Sequence, residues 1–121
     1  MRIYDSGRSK GKQVSDFGSR DVTISTVMSS RAWHVATLRL APNGVLGAHK
    51  LATDQLLIIM AGSAKVTGDK NMRVDVTPGI AVFWNKDEVH EVQAGSEGLS
   101  AVLIEGDKLH REILMPVRKV T

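Results

Sequence analysis

His49-Lys50-Leu51-Ala52-Thr53-Asp54-Gln55-Leu56-Leu57-Ile58-Ile59-Met60-Ala61-Gly62 decides how the rest of the chain is read. Its apolar run, Leu56–Ala61, is far shorter than the ~20 residues a membrane helix needs, and it stops at a glycine. A short apolar run closed by a breaker reads as a buried strand. The lead-in carries one histidine and one carboxamide, His49 and Gln55, of the same parity as Leu51, Leu57 and Ile59. In an extended chain, residues of one parity share a face. The segment therefore predicts an apolar interior wall with two polar groups set into it.

Working outward, breakers recur at short intervals: Pro42-Asn43-Gly44, Gly62, Gly68-Asp69-Lys70-Asn71, Pro78-Gly79, Asn85-Lys86-Asp87 and Gly95-Ser96-Glu97-Gly98. Most gaps between them are too short for a helix of ordinary length and suit strands of about 5–6 residues. The expected strands are 22–28, 33–40, 56–61, 64–67, 72–76, 80–84, 90–93 and 99–105. Val22–Val27 and Met72–Val76 alternate apolar with polar residues, the mark of a half-buried strand. Many short strands imply an all-β sandwich or closed barrel. Residues 109–115 fit either a short helical turn before Pro116 or a further strand, and residues 5–12 read as a loop.

The chain has 121 residues, the size of one domain, and no internal repeat or second domain is evident. Hydrophobic residues make up 42% and charged residues 24%, which argues against global disorder. There is no cysteine, which excludes disulfides, thiolate nucleophiles and iron–sulfur ligation. No apolar segment is long enough to span a membrane, and the polar turn after Met1 leaves no secretory apolar region. The expectation is a soluble, cytoplasmic protein. The net charge of +3 concentrates at the ends: residues 1–20 hold five basic against two acidic side chains, and residues 106–121 four against two. Without aromatics interleaved among them, these ends read as solvated tails, and a nucleic-acid partner is not expected.

Two stretches together resemble the paired motifs of the cupin superfamily. The first, of the form G-x5-H-x-H-x3/4-E-x6-G, maps onto Asn43 or Gly44, His49, Leu51, Gln55 and Gly62. The second, G-x5-P-x-G-x2-H-x3-N, maps onto Gly79, Asn85, Asp87, His90 and Ala94. The resemblance covers residues 33–105, between an N-terminal arm and strand (1–20) and a basic C-terminal segment (106–121), all one domain. It implies a single double-stranded β-helix, the cupin or jelly-roll barrel. It also implies a site inside the barrel at His49, Gln55 and His90, with Leu51 and Trp84 as further ligand-contacting residues. In typical cupins the motif histidines and the glutamate hold one divalent metal. Here Leu51 stands for the second histidine and Gln55 for the glutamate.

With His49, His90 and Gln55 as the metal ligands, a Zn, Fe, Ni, Mn or Cu ion would meet two neutral imidazoles and one amide oxygen. No carboxylate offsets its charge, so binding is expected to be weak or absent. Asp54 is the nearest carboxylate in sequence, but adjacent side chains in a strand face opposite ways, so it is a poor substitute. Glu88 lies two residues before His90, in a loop where parity does not hold. The bland alternative is a buried histidine pair and a glutamine that satisfy one another with no ligand. Trp33, Phe83 and Trp84 read as packing, His34 as facing either barrel or solvent, and His110 as exposed.

Three functions follow. The first is a small cupin-type protein that binds a small molecule in its barrel, with or without a weak metal. The second is a metal-dependent enzyme of the dioxygenase, isomerase or decarboxylase type. The third is an inert barrel acting through its basic ends. No other nucleophile or phosphate-binding motif is present. The resemblance also implies a homodimer, with residues 1–4 and 14–17 as the apolar segments available to pair.

Overall fold

The computed structural model describes residues 1–7 and 11–118; Arg8, Lys10 and Lys119, part of the charge assigned to the basic ends, lie outside them. Seven strands account for most of the chain: β1 (Lys12–Val14), β2 (Arg20–Ser29), β3 (Trp33–Lys50), β4 (Asp54–Thr67), β5 (Arg73–Val76), β6 (Ala81–Trp84) and β7 (Val89–Gly106). All pairings are antiparallel, in the order β1-β2-β3-β7-β4-β5, with β6 on the free side of the first half of β4.

Three of these strands are long and bent, and each serves two layers. Residues 33–41 of β3, 99–106 of β7 and 54–59 of β4 pair with one another and with β6. Residues 45–50, 89–94 and 64–67 of the same strands form the opposite layer with β5. Register shifts fall at the bends, between Leu40 and Val45 on β3 and between Ile59 and Ala64 on β4, and a further one lies between Leu46 and His49. The double-layered barrel expected from the motifs is therefore present, with one correction. Pro42-Asn43-Gly44, Gly62 and Gly95–Gly98 do not end strands; they bend continuous ones. Bulged, positive-φ positions let a strand turn a corner while keeping its partners. Gly62 (φ 79°) and Gly98 (φ 78°) meet at that corner so closely that a Cβ on Gly62 would lie 2.0 Å from the Gly98 carbonyl oxygen.

The strand at residues 45–50 and the short β1 were not expected, and Lys12 belongs to β1 rather than to a loop. Residues 109–112 form a 3-10 turn, the helical of the two alternatives. The core lies between the layers and draws on both: Leu38, Leu40, Leu57, Ile59, Leu99, Ala101 and Leu103 from one, Leu46, Val66, Val76, Val92 and Ala94 from the other. Alternate positions of each strand supply it, as a two-residue period requires. Among the described residues no helix is long and apolar enough to cross a membrane.

Candidate functional site: a buried histidine pair beside Trp84

His49, near the end of β3, stands directly opposite His90, near the start of β7. The two Nε2 atoms are 3.2 Å apart and the rings meet edge to face, 4.5 Å between centroids. His49 Nδ1 lies 2.8 Å from the Gly47 carbonyl oxygen, to which it must donate. A neutral His49 then has a bare Nε2, which accepts from Nε2–H of His90. His90 Nδ1 is left as a bare acceptor, fully buried and without a partner. His90 is only 2% exposed, and burial pushes its pKa down to about 3, with the neighbouring His49 adding to the same direction. It is a neutral imidazole at physiological pH.

Trp84 closes one side of the pair. Its ring meets His90 edge to face at 4.7 Å, and its indole N–H donates to the Thr67 carbonyl at 3.1 Å, which fixes the ring. Gln55 is the cross-strand neighbour of Trp84, on the same face as Leu57 and Ile59. It is 8% exposed, and its Oε1 is buried with no hydrogen-bond partner. An unpaired buried acceptor costs roughly 1–3 kcal/mol, so Gln55 and His90 both hold polar atoms whose partner must come from elsewhere. Leu51 is 2% exposed and belongs to the core. Its backbone pairs with Glu88 and Asp87, tying the end of β3 to the turn before β7.

Phe17 belongs to the site although its sequence position did not announce it. Its ring stacks flat on His49, 4.5 Å between centroids and 10° between planes. The 3-10 turn Asp16–Gly18 holds it there, with Phe17 itself at φ 60°. That conformation is unfavourable for a bulky residue and persists only where surroundings impose it. Gly47 lets this turn approach: a Cβ there would lie 1.7 Å from the Phe17 carbonyl oxygen, and the Gly47 N–H donates to Ser19 Oγ at 2.9 Å. The only sequence signal was an aromatic beside a glycine in a turn. Of residues 14–17, Val14 pairs with Val22 of β2 and the Phe17 ring lies on His49, while β1 stands at the edge of the sheet and Phe17 remains 62% exposed.

The other carboxylates weighed as ligands have structural work. Asp54 is buried on the face opposite Gln55, as parity required, and accepts from the backbone N–H groups of Lys86 (2.8 Å) and Leu109 (3.1 Å). His110 lies 3.9 Å from it, its side chain 58% exposed. Glu88 accepts from the N–H groups of Asn85 and Asp69 and so clamps two loops together. His34 shares the parity of Ala36 and Leu38, is half-buried, and lies 3.4 Å from Thr26 Oγ1. Trp33 is exposed; Phe83 is half-buried, its ring 6.2 Å from that of His110.

No group of three His, Cys, Asp or Glu side chains among the described residues converges as a metal site. The histidine pair nonetheless fits one ion: two nitrogens each about 2.1 Å from a metal lie about 3.0–3.4 Å apart in octahedral or tetrahedral geometry. The orphaned Gln55 oxygen is a third donor of the right kind. A neutral amide in place of a carboxylate makes the set a weak one.

Comparison with known proteins agrees on architecture. No family model and no curated protein matches the chain. Solved structures do. The polyketide cyclase RemF from Streptomyces resistomycificus superposes with a TM-score of 0.72 at 18% identity, over 87% of this chain and 80% of its own. KdgF from Halomonas sp. superposes at 0.70 and 12% identity, over 85% and 92%. A cupin superfamily protein from Desulfitobacterium hafniense superposes at 0.65 and 18% identity, over 72% and 78%. The chain has the cupin fold.

Proposed function

We propose that this protein binds a small molecule inside its barrel, beside a weakly held divalent transition metal at His49, His90 and Gln55. The observation that carries the reading is the meeting of two imidazole nitrogens at 3.2 Å with buried acceptors left unpartnered, inside otherwise apolar walls. A concave apolar site with a few convergent polar groups is the usual form of a small-ligand pocket. Metal, when bound, would supply a Lewis acid; His49 and His90 would orient it, and Leu57, Ile59 and Trp84 would exclude water. The purified protein should carry substoichiometric metal that a chelator strips, measured by elemental analysis. The His49→Ala/His90→Ala double variant should retain none; a double variant that keeps its metal would end the assignment.

A second reading is an enzyme acting on a small organic substrate, of the dioxygenase, isomerase or decarboxylase type. Its support is the open coordination a three-donor site leaves, together with the likeness to a structure named as a polyketide cyclase. Turnover in a substrate screen, lost in the same double variant, separates it from simple binding.

We also assign a homodimer, through the outer face of the layer that carries Gln55. Val35, Ile104, Leu56 and Phe83 form one transverse row there, and Val102 and Ile58 part of the next. The rows carry no charged side chain, so two such faces meet without opposing charges. Part of this face is already covered within the chain, since Leu56 is buried and the His110 ring lies 6.2 Å from Phe83; the half-buried Val35, Ile104, Val102 and Ile58 are what a second copy would cover. Sedimentation at micromolar concentration should give a dimer for the wild type and a monomer for Ile58→Asp; a wild-type monomer rejects the assignment.

A further inference from the structure

One transverse rung of the first layer reads His34, Glu105, Gln55, Trp84 across β3, β7, β4 and β6. The register along the rung is unbroken. From Trp33–Gly106 to Leu40–Leu99 and from Asp54–Gly106 to Ile59–Ala101 no bulge intervenes. Parity therefore carries over exactly two residues at a time from Leu99, Ala101 and Leu103, all 3–4% exposed in the core, to Glu105. Glu105 faces the barrel, half-buried, next to Gln55 and on its side away from Trp84. No ion pair among the described residues involves it. Side chains directly opposite on neighbouring strands have Cβ atoms about 4.5–5.5 Å apart, so its carboxylate reaches the surroundings of the unpartnered Gln55 oxygen.

We propose that Glu105 is the anionic group of the barrel site: the negative charge that a glutamate at position 55 would have supplied is carried one strand over, on β7. This rests on the metal reading of His49, His90 and Gln55. Glu105 is not a third member of the imidazole cluster, and it would act from outside the coordination set. It is a positioning and charge-balancing residue. The arrangement suits a divalent cation better than the two imidazoles and the amide do alone, because it offsets charge without occupying a coordination position. Outer carboxylates of this kind hold and orient the groups next to a metal.

The test uses Co2+ as the probe, with affinity read by calorimetry and by the visible spectrum of the bound ion. Glu105→Gln should weaken Co2+ binding about ten- to hundredfold, the range seen when an outer-shell partner is removed. Glu91→Gln, on the opposite face of the same strand, should leave affinity unchanged, which separates a local effect from net charge. Gln55→Glu placed in the Glu105→Gln background should restore binding, because it returns a carboxylate to the rung. Unchanged affinity in Glu105→Gln overturns the proposal and leaves the histidine site standing, provided His49→Ala/His90→Ala abolishes binding. A loss in Glu105→Gln that Gln55→Glu does not restore is structural and overturns it too. A wild-type protein that binds no Co2+ overturns both this proposal and the metal reading beneath it.

Discussion

In metal-free protein, lowering the pH from 7 to 4 should cost on the order of 3 kcal/mol of folding stability through His90 alone, at 1.36 kcal/mol per pKa unit. His90 has an ordinary value of 6.5 when unfolded and about 3 in the barrel. Between those two values the unfolded chain binds a proton that the native chain refuses, so stability falls as the pH falls through that window. Above 6.5 both states are neutral and the dependence vanishes. The cause is position: the ring is 2% exposed, wedged against Trp84, with His49 as the titratable group in contact. His90→Leu fits the apolar surroundings and has nothing to protonate. Urea unfolding at pH 7, 5.5 and 4 should show a steep decline for the wild type and a markedly shallower one for His90→Leu. Parallel declines in the two proteins would mean that His90 is solvated or paired in solution.

The second large effect is expected at the barrel corner. Gly62→Ala should lower stability by on the order of 3 kcal/mol, from a positive φ that alanine resists and from overpacking against backbone. The obstructing atom is the Gly98 carbonyl oxygen, 2.0 Å from the new Cβ, and no side-chain rotation can relieve it. Gly79→Ala is the matched comparison: its φ is 98°, but nothing lies within 4 Å of its Cβ. It should lose only about 1 kcal/mol, the conformational part of the penalty. Equal midpoints for the two variants in urea unfolding would contradict the close approach of β4 and β7 at that corner.

Which parts of this were legible beforehand follows from how far along the chain each feature is determined. The two-residue period of Gln55, Leu57 and Ile59 is local, so the interior wall and the outward turn of Asp54 could be read directly. The meeting of His49 and His90 could be anticipated because two motif spacings constrain it together. Pro42–Gly44 and Gly62 were misjudged as strand ends because a bend and a reversal use the same residues; only the partner strand distinguishes them. Glu105 stayed hidden for the same reason. Its role depends on the register between β4 and β7, and no pattern around Ile104-Glu105-Gly106 records which residue stands opposite. Phe17 is a third case, since its place depends on the absence of a side chain at Gly47, far along the chain.

The three long strands that pass through both layers also shape how the barrel forms and fails. Because β3, β4 and β7 each run on from one layer into the other, neither layer can melt while its companion persists, and amide exchange in the two halves should be governed by one cooperative opening. The first half of β3 pairs locally with β2 on one side, but its other neighbour is the distant second half of β7, so that part of the ladder closes late. Such distant pairing places the protein among the slow folders, with relaxation on the order of milliseconds to seconds.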